Sequence, residues 1–331
     1  MSSDDLRGWE LLCDQQPNEE ALSAMQKMRG FYRTRTYRSG DLLEVEVYPV
    51  IPRRMIREAL AKKGETREAQ RRLNQRNAEK RFRRLIERNF GEKDYYFTGT
   101  IEGEELPTLE KVQKLIQNFL RRINWKRKRA GLENAKYVYV IEGWEEGSRQ
   151  KRLHVHLIID GGIDRRELKE MWGHGRTKCE ELDPKAYGGL SALAQYLTKD
   201  PRGRKRWSAS KNLKGPLIAT AERKVSSRTA HRISEDTAGR AAALEKLYPG
   251  YRHEDTEVRS NPFIPGAYIY AVLRRESGKT EKKGGQKRHE QGNSIRQGGK
   301  RAGIQPDSER NRAGDIPDGG AEKVQKRRGK V

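Results

Sequence analysis

Residues 135–160 read AKYVYVIEGWEEGSRQKRLHVHLIID, and their reading decides the fold. Two apolar, β-branched runs, YVYVIEG and LHVHLIID, flank a polar, Gly-containing segment, the pattern of an antiparallel hairpin. Side chains alternate faces along a strand, so His154 and His156 project from one face while Val155, Leu157 and Ile159 line the other. Glu142 stands near the end of the first strand, across from the start of the second, with Val138 and Val140 on its face. Two imidazoles and a carboxylate on one sheet face form a three-ligand set for a divalent cation such as Mg²⁺ or Mn²⁺. That set leaves positions open for water and a phosphate oxygen. The competing reading is a pair of histidines on a partly solvated face, with Glu142 paired to Lys151 or Arg152.

Around the hairpin, strands and helices alternate. DYYFTGTIE (94–102) reads as a strand, and LPTLEKVQKLIQNFLRRINWKRKR (106–129) as a helix capped by Thr108 with an apolar stripe from Val112 to Ile123. DRRELKEMWG (164–173) is a short helix, TKCEEL (177–182) a strand, and LSALAQYLTKD (190–200) a helix stopped by Pro201. The order strand, helix, strand, strand, helix, strand, helix is an α+β arrangement of the ferredoxin-like kind, with a central antiparallel sheet.

Upstream, DLLEVEVYPVI (41–51) is one strand, and Pro52 to Phe90 is basic and helical, in two pieces parted at Gly64. Downstream, a basic loop after Pro201 leads through LIATAERKV to a helix at 237–248, and DTEVRSNPF with GAYIYAVLRR forms a last hairpin. From 277 to 331 there is little to bury, which predicts a disordered basic tail. The expected division is therefore 1–90, a strand and basic helical region; 91–216, the core; 217–276, a helix and hairpin extension; and 277–331, the tail.

The 71 Lys and Arg residues against 47 Asp and Glu, a net charge of +24, imply a polyanionic partner, most simply nucleic acid. Cys13 and Cys179 offer neither a disulfide framework nor a zinc spacing. No stretch reaches the length of a membrane span, and the N-terminus lacks the pattern of a signal peptide, so a soluble cytoplasmic protein is expected.

Tyr196 and Lys199 share a helix face, and a cation beside a phenol stabilises negative charge developing on the phenolate or on a phosphate. By itself Y-x-x-K is weak, since a tyrosine on an amphipathic helix usually belongs to the core. Directly after it, Arg202, Arg204, Lys205, Arg206, Trp207, Lys211 and Lys214 make a basic loop with one aromatic. This loop is either a clamp that pairs phosphates and stacks a base, or a solvated loop with Trp207 in the core. Arg81 and Arg84, with Arg83 between them, face either DNA or solvent. Trp172 suits a core edge.

FTGT (97–100), HVH (154–156) and Y-x-x-K (196–199), in this order, resemble the three motifs of the HUH endonucleases, specifically the rolling-circle replication initiators of plasmids, phages and integrative elements. The stretch 77–100 adds to the likeness, which covers about 75–215. It implies that His154, His156 and Glu142 hold Mg²⁺ or Mn²⁺, that Tyr196 is the nucleophile, and that Lys199 helps to position the metal or phosphate. It further implies a 5′-phosphotyrosine intermediate on single-stranded or extruded origin DNA in a bacterial host, with a host helicase and DNA polymerase as partners. Gly99 departs from the pattern, which more often has an apolar residue there, and only one tyrosine fits. The alternatives are a transposase or mobilisation nuclease with the same chemistry, and a basic nucleic-acid-binding protein without catalysis.

Overall fold

The computed structural model describes residues 23, 31–52, 54–56, 67–103, 107–143, 153–184, 189–198, 207–261 and 264–276. The tail beyond 276 and most of the region before 31 lie outside them. The described residues form two five-stranded antiparallel sheets and the helices packed on them.

The sheet built on the histidine hairpin contains β3 (Tyr95–Ile101), β4 (Tyr137–Glu142), β5 (Leu153–Ile159), β6 (Thr177–Glu181) and the two-residue β7 (Ser208–Ala209). Its order is β6-β3-β5-β4-β7. With α2 (Leu109–Arg129) after β3 and α3 (Arg165–Glu170) after β5, this is the ferredoxin-like winding expected from the element order. Thr108 caps α2, its hydroxyl accepting from the Lys111 amide at 3.4 Å. Helices α2 and α3 cover the face carrying Phe97, Val155, Leu157 and Tyr139, and Phe119, Ile123, Leu168 and Trp172 fill the layer between. On the other face, α1 (Arg67–Asn89) and α4 (Gly189–Thr198) bring Phe82, Ile86, Ala194 and Leu197 onto Val138 and Ile158.

The second sheet holds β1 (Tyr32–Ser39), β2 (Leu42–Pro49), β8 (Leu217–Glu222), β9 (Tyr251–Asn261) and β10 (Ile264–Arg275) in the order β8-β1-β2-β10-β9. The boundaries read from sequence at 90 and 217 do not separate domains here, because both flanks of the core share this sheet. Helices α5 (Ser227–Glu235) and α6 (Arg240–Leu247) pack on its apolar face, where Val45, Val47, Ile269 and Leu273 meet Ile233 and Leu244. Strand β1 escapes the sequence reading, because YRTRTYRS alternates cations with hydroxyls instead of apolar residues. Its turn has Gly40 at φ +60°, and a Cβ there would lie 2.6 Å from the Glu87 carbonyl oxygen, so the close approach of α1 requires glycine.

Helix α1 lies between the sheets. Its Phe82 and Ile86 face the histidine sheet. Its Lys80, Arg83 and Arg84 reach the polar face of the second sheet, where Glu44 accepts from both guanidiniums and from the Tyr270 hydroxyl. Glu46 accepts from Lys80 at 3.5 Å and Arg84 at 3.3 Å, and Lys80 donates to the Tyr268 hydroxyl at 2.7 Å. This overturns Arg84 as a DNA contact: its guanidinium is committed to buried carboxylates. Burial alone would raise the pKa of Glu44, but the adjacent Arg84 and Arg83 outweigh it and hold the carboxyl below its ordinary value.

Candidate active site

The histidines sit on the central strand of their sheet. His154 is in register with Glu142 on β4 and Thr100 on β3; His156 is in register with Val140 and Thr98. Pleating puts Tyr96, Thr98 and Thr100 on the same face, so a column of hydroxyls runs alongside the two imidazoles. The Tyr96 hydroxyl lies 2.7 Å from His156 Nδ1 and that of Thr98 3.4 Å; Thr100 Oγ1 is 3.5 Å from His154 Nδ1. Sequence reasoning takes FTGT as a motif but misses this role, although the period-two spacing of Tyr96, Thr98 and Thr100 is its signal.

The other nitrogen of His156, Nε2, is 2.6 Å from Glu142 Oε2. Although Glu142 is in register with His154, its carboxylate has turned to His156. Burial depresses the His156 pKa, while the hydrogen bond and charge of Glu142 pull the other way without overcoming it. The ring is thus neutral at neutral pH, and its contact with Glu142 is a hydrogen bond rather than an ion pair. Burial also pushes the Tyr96 hydroxyl up to about 12, so it remains a phenol.

Tyr196, on α4, meets the His156 ring edge-on, with centroids 6.0 Å apart and planes at 90°. It is 55% exposed, whereas Leu190, Ala194 and Leu197 of the same helix are buried. Helix α4 is held by α1 at both ends: Ser191 Oγ donates to Glu87 at 3.0 Å, and Gln75 Nε2 donates to the Thr198 carbonyl at 2.8 Å.

The donor set suits a hard or borderline divalent ion. Both Nδ1 atoms face hydroxyls, which leaves the Nε2 atoms for a ligand, and a carboxylate already stands against one of them. Among the described residues, no three His, Cys, Asp or Glu side chains are drawn together as a closed metal cluster. The Glu142–His156 hydrogen bond occupies the approach that a shared ion would take.

The remaining sequence-predicted residues are dispersed. Lys199, Arg202, Arg204, Lys205 and Arg206 lie outside the described residues. Trp207 packs edge-to-face on Phe82 at 5.0 Å and joins the core, which replaces the base-stacking expectation with the alternative named beside it. Lys211, Lys214 and Arg81 are exposed. Trp172 is fully buried and its Nε1 donates to the Thr100 carbonyl at 2.9 Å, directly behind the hydroxyl column.

Trp172 also accounts for Gly99. A Cβ on Gly99 would fall 2.6 Å from Trp172 Cε2 and 2.9 Å from Phe97 Cε1, so the indole fills the space a side chain would take. Gly99→Val is expected to destabilise the protein by about 3 kcal/mol through overpacking. Urea denaturation measures this, and an unchanged midpoint would mean the indole moves aside at no cost.

A ferredoxin-like α+β sheet with a histidine pair on its central strand and an exposed tyrosine beside it defines the class. Residues 94–201, from the start of β3 to just past α4, match a family model of replication-associated proteins, the ORF2 group. The matched segment, about a third of the chain, is a domain of that replication-associated family. No curated protein and no solved structure matches the chain. No helix among the described residues is long and apolar enough to cross a membrane.

Proposed function

We propose that this protein is a rolling-circle replication initiator of the HUH endonuclease class, which nicks and rejoins single-stranded or extruded origin DNA through Tyr196. The observation that carries the reading is the exposed Tyr196 phenol set edge-on against His156 of the histidine pair, inside the segment matching a replication-associated family.

In the nicking step the phenol gives up its proton and its oxygen bonds to phosphorus, while the bond from phosphorus to the 3′ oxygen breaks. The departing oxygen takes up a proton, leaving a free 3′-OH and a 5′-phosphotyrosine. A later 3′-OH reverses the exchange, because the phosphotyrosine retains the energy of the diester. His154, His156 and Glu142 would hold Mg²⁺ or Mn²⁺, which supplies Lewis-acid polarisation of the scissile phosphate. Tyr96 and Thr98 fix the orientation of His156, and Thr100 that of His154. Gln75 and Glu87 hold the tyrosine helix in place. Lys199, by resemblance, steadies the phosphate, with Arg202, Arg204, Lys205, Arg206, Lys211 and Lys214 along the strand. The free 3′-OH would serve a host DNA polymerase behind a host helicase, in the cytoplasm of a bacterial cell.

The test is to incubate the protein with single-stranded oligonucleotides tiling its own replicon, with Mn²⁺ or with EDTA, and to resolve the products on a denaturing gel. The expected result is a protein–DNA adduct on one oligonucleotide that requires the metal. Binding of every oligonucleotide with no adduct or cut on any of them would return the protein to the class of non-catalytic basic binders.

A further inference from the structure

We infer that the outer face of α2 is a second nucleic-acid surface, built for the backbone of duplex DNA and separate from the strand that is cut. The inference stands on α2 alone and does not require the nuclease chemistry proposed above.

Helix α2 carries eight cations and one acidic residue, Glu110 in its first turn. Three of the cations have structural work. Arg127 is buried and donates to the carbonyls of Glu133 and Gly161 and to Asp160. Arg122 donates to the Met171 carbonyl at 2.7 Å, and Lys126 pairs with Glu167 at 2.5 Å. The other five, Lys111, Lys114, Arg121, Lys128 and Arg129, are exposed. At 100° per residue they fall, together with Trp125, within an arc of about 100° on the side opposite Val112, Ile116, Phe119 and Ile123. No acidic residue of the helix interrupts that arc.

Trp125 is 62% exposed, and the only other aromatic of comparable exposure among the described residues is Tyr196. The Arg129 guanidinium lies over the indole, 4.8 Å from its centroid, which keeps that cation on the arc. A solubilising helix face would mix both signs of charge and would not leave a tryptophan in water.

The shape selects duplex over single strand. Single strands bind in grooves lined by several stacking aromatics, whereas α2 is a convex ridge with one. From Lys111 to Arg129 the ridge runs about 27 Å, the length of about eight base pairs of B-form DNA. It lies on the sheet face opposite His154 and His156, so a duplex held there leaves the histidine face open to a melted strand.

The test uses the full-length protein and a 20-base-pair duplex of scrambled sequence, with affinity measured over a range of salt concentrations. Replacing Lys111, Lys114, Arg121 and Lys128 together by Gln should lower the slope of log affinity against log salt by about 3 to 4 and weaken binding about tenfold or more at 0.1 M salt. Swapping Lys for Arg and Arg for Lys at the same positions should retain the slope. A Gln variant with an unchanged slope overturns the proposal. So does a variant that loses a single-stranded oligonucleotide as much as the duplex, since the ridge would then belong to the track of the cut strand. An adduct assay in parallel keeps the two readings apart: failure to form any adduct tests the nuclease, and the salt slope tests the ridge.

Discussion

Tyr196→Phe is expected to abolish the covalent protein–DNA adduct and to reduce cleavage by at least about 10³-fold, while leaving DNA affinity within about twofold of the parent. Phenylalanine keeps the ring that stands against His156 and removes only the oxygen that would bond to phosphorus, so α4 has no reason to move. The informative companion is Tyr96→Phe. Tyr96 also lies close to the site, but its hydroxyl is held by His156 and its pKa of about 12 keeps it a phenol. Its loss should slow adduct formation by about 10–100-fold without preventing it, as expected for a residue that orients a ligand. The measurement is the rate of adduct formation on the cleavable oligonucleotide. If Tyr96→Phe abolished the adduct and Tyr196→Phe did not, the two roles would be reversed.

Glu44→Ala is expected to cost about 3–5 kcal/mol of stability, enough to unfold a marginally stable chain at 37 °C. The carboxylate is fully buried between α1 and the second sheet, and its removal strands Arg83, Arg84 and Tyr270 without their common acceptor. The same group makes stability acid-sensitive. The native pKa of Glu44 lies below its ordinary 4.5, so its contribution is complete above that value and is lost as pH falls through the lower native one. Urea midpoints taken at pH 7 and downward from pH 5 should fall more steeply for the parent than for Glu44→Gln. Parallel curves for the two proteins would place the acid sensitivity elsewhere.

The buried charges of this layer explain why the second sheet is hard to read from sequence. Period-two and period-3.6 apolar patterns reveal elements that bury hydrocarbon, and β3, α2, β4, β5 and α4 do so. Strand β1 instead buries Arg33 and Tyr37, and α1 turns Lys80, Arg83 and Arg84 inward. A basic helix whose cations meet carboxylates 40 residues away in the chain looks the same, residue by residue, as one whose cations face DNA. Arg84 is misread for that reason, and Trp207 because an aromatic in a basic loop carries no mark of whether Phe82 lies beneath it.

What the sequence alone determined is whatever follows from local alternation and element order: the histidine pair on one strand face, Glu142 at the hairpin end across from it, Tyr196 on an amphipathic helix, and the ferredoxin-like winding. Tertiary structure decided which groups separated by tens or hundreds of residues meet. It placed the hydroxyls of Tyr96, Thr98 and Thr100 beside the imidazoles, turned Glu142 to His156 instead of His154, set Trp172 over Gly99, and joined residues 32–49 to 217–275 in one sheet. The physical reason is that side-chain direction is a property of the backbone, written into a few consecutive residues, whereas pairing across strands and layers depends on register and packing between distant segments, which no short window of sequence contains.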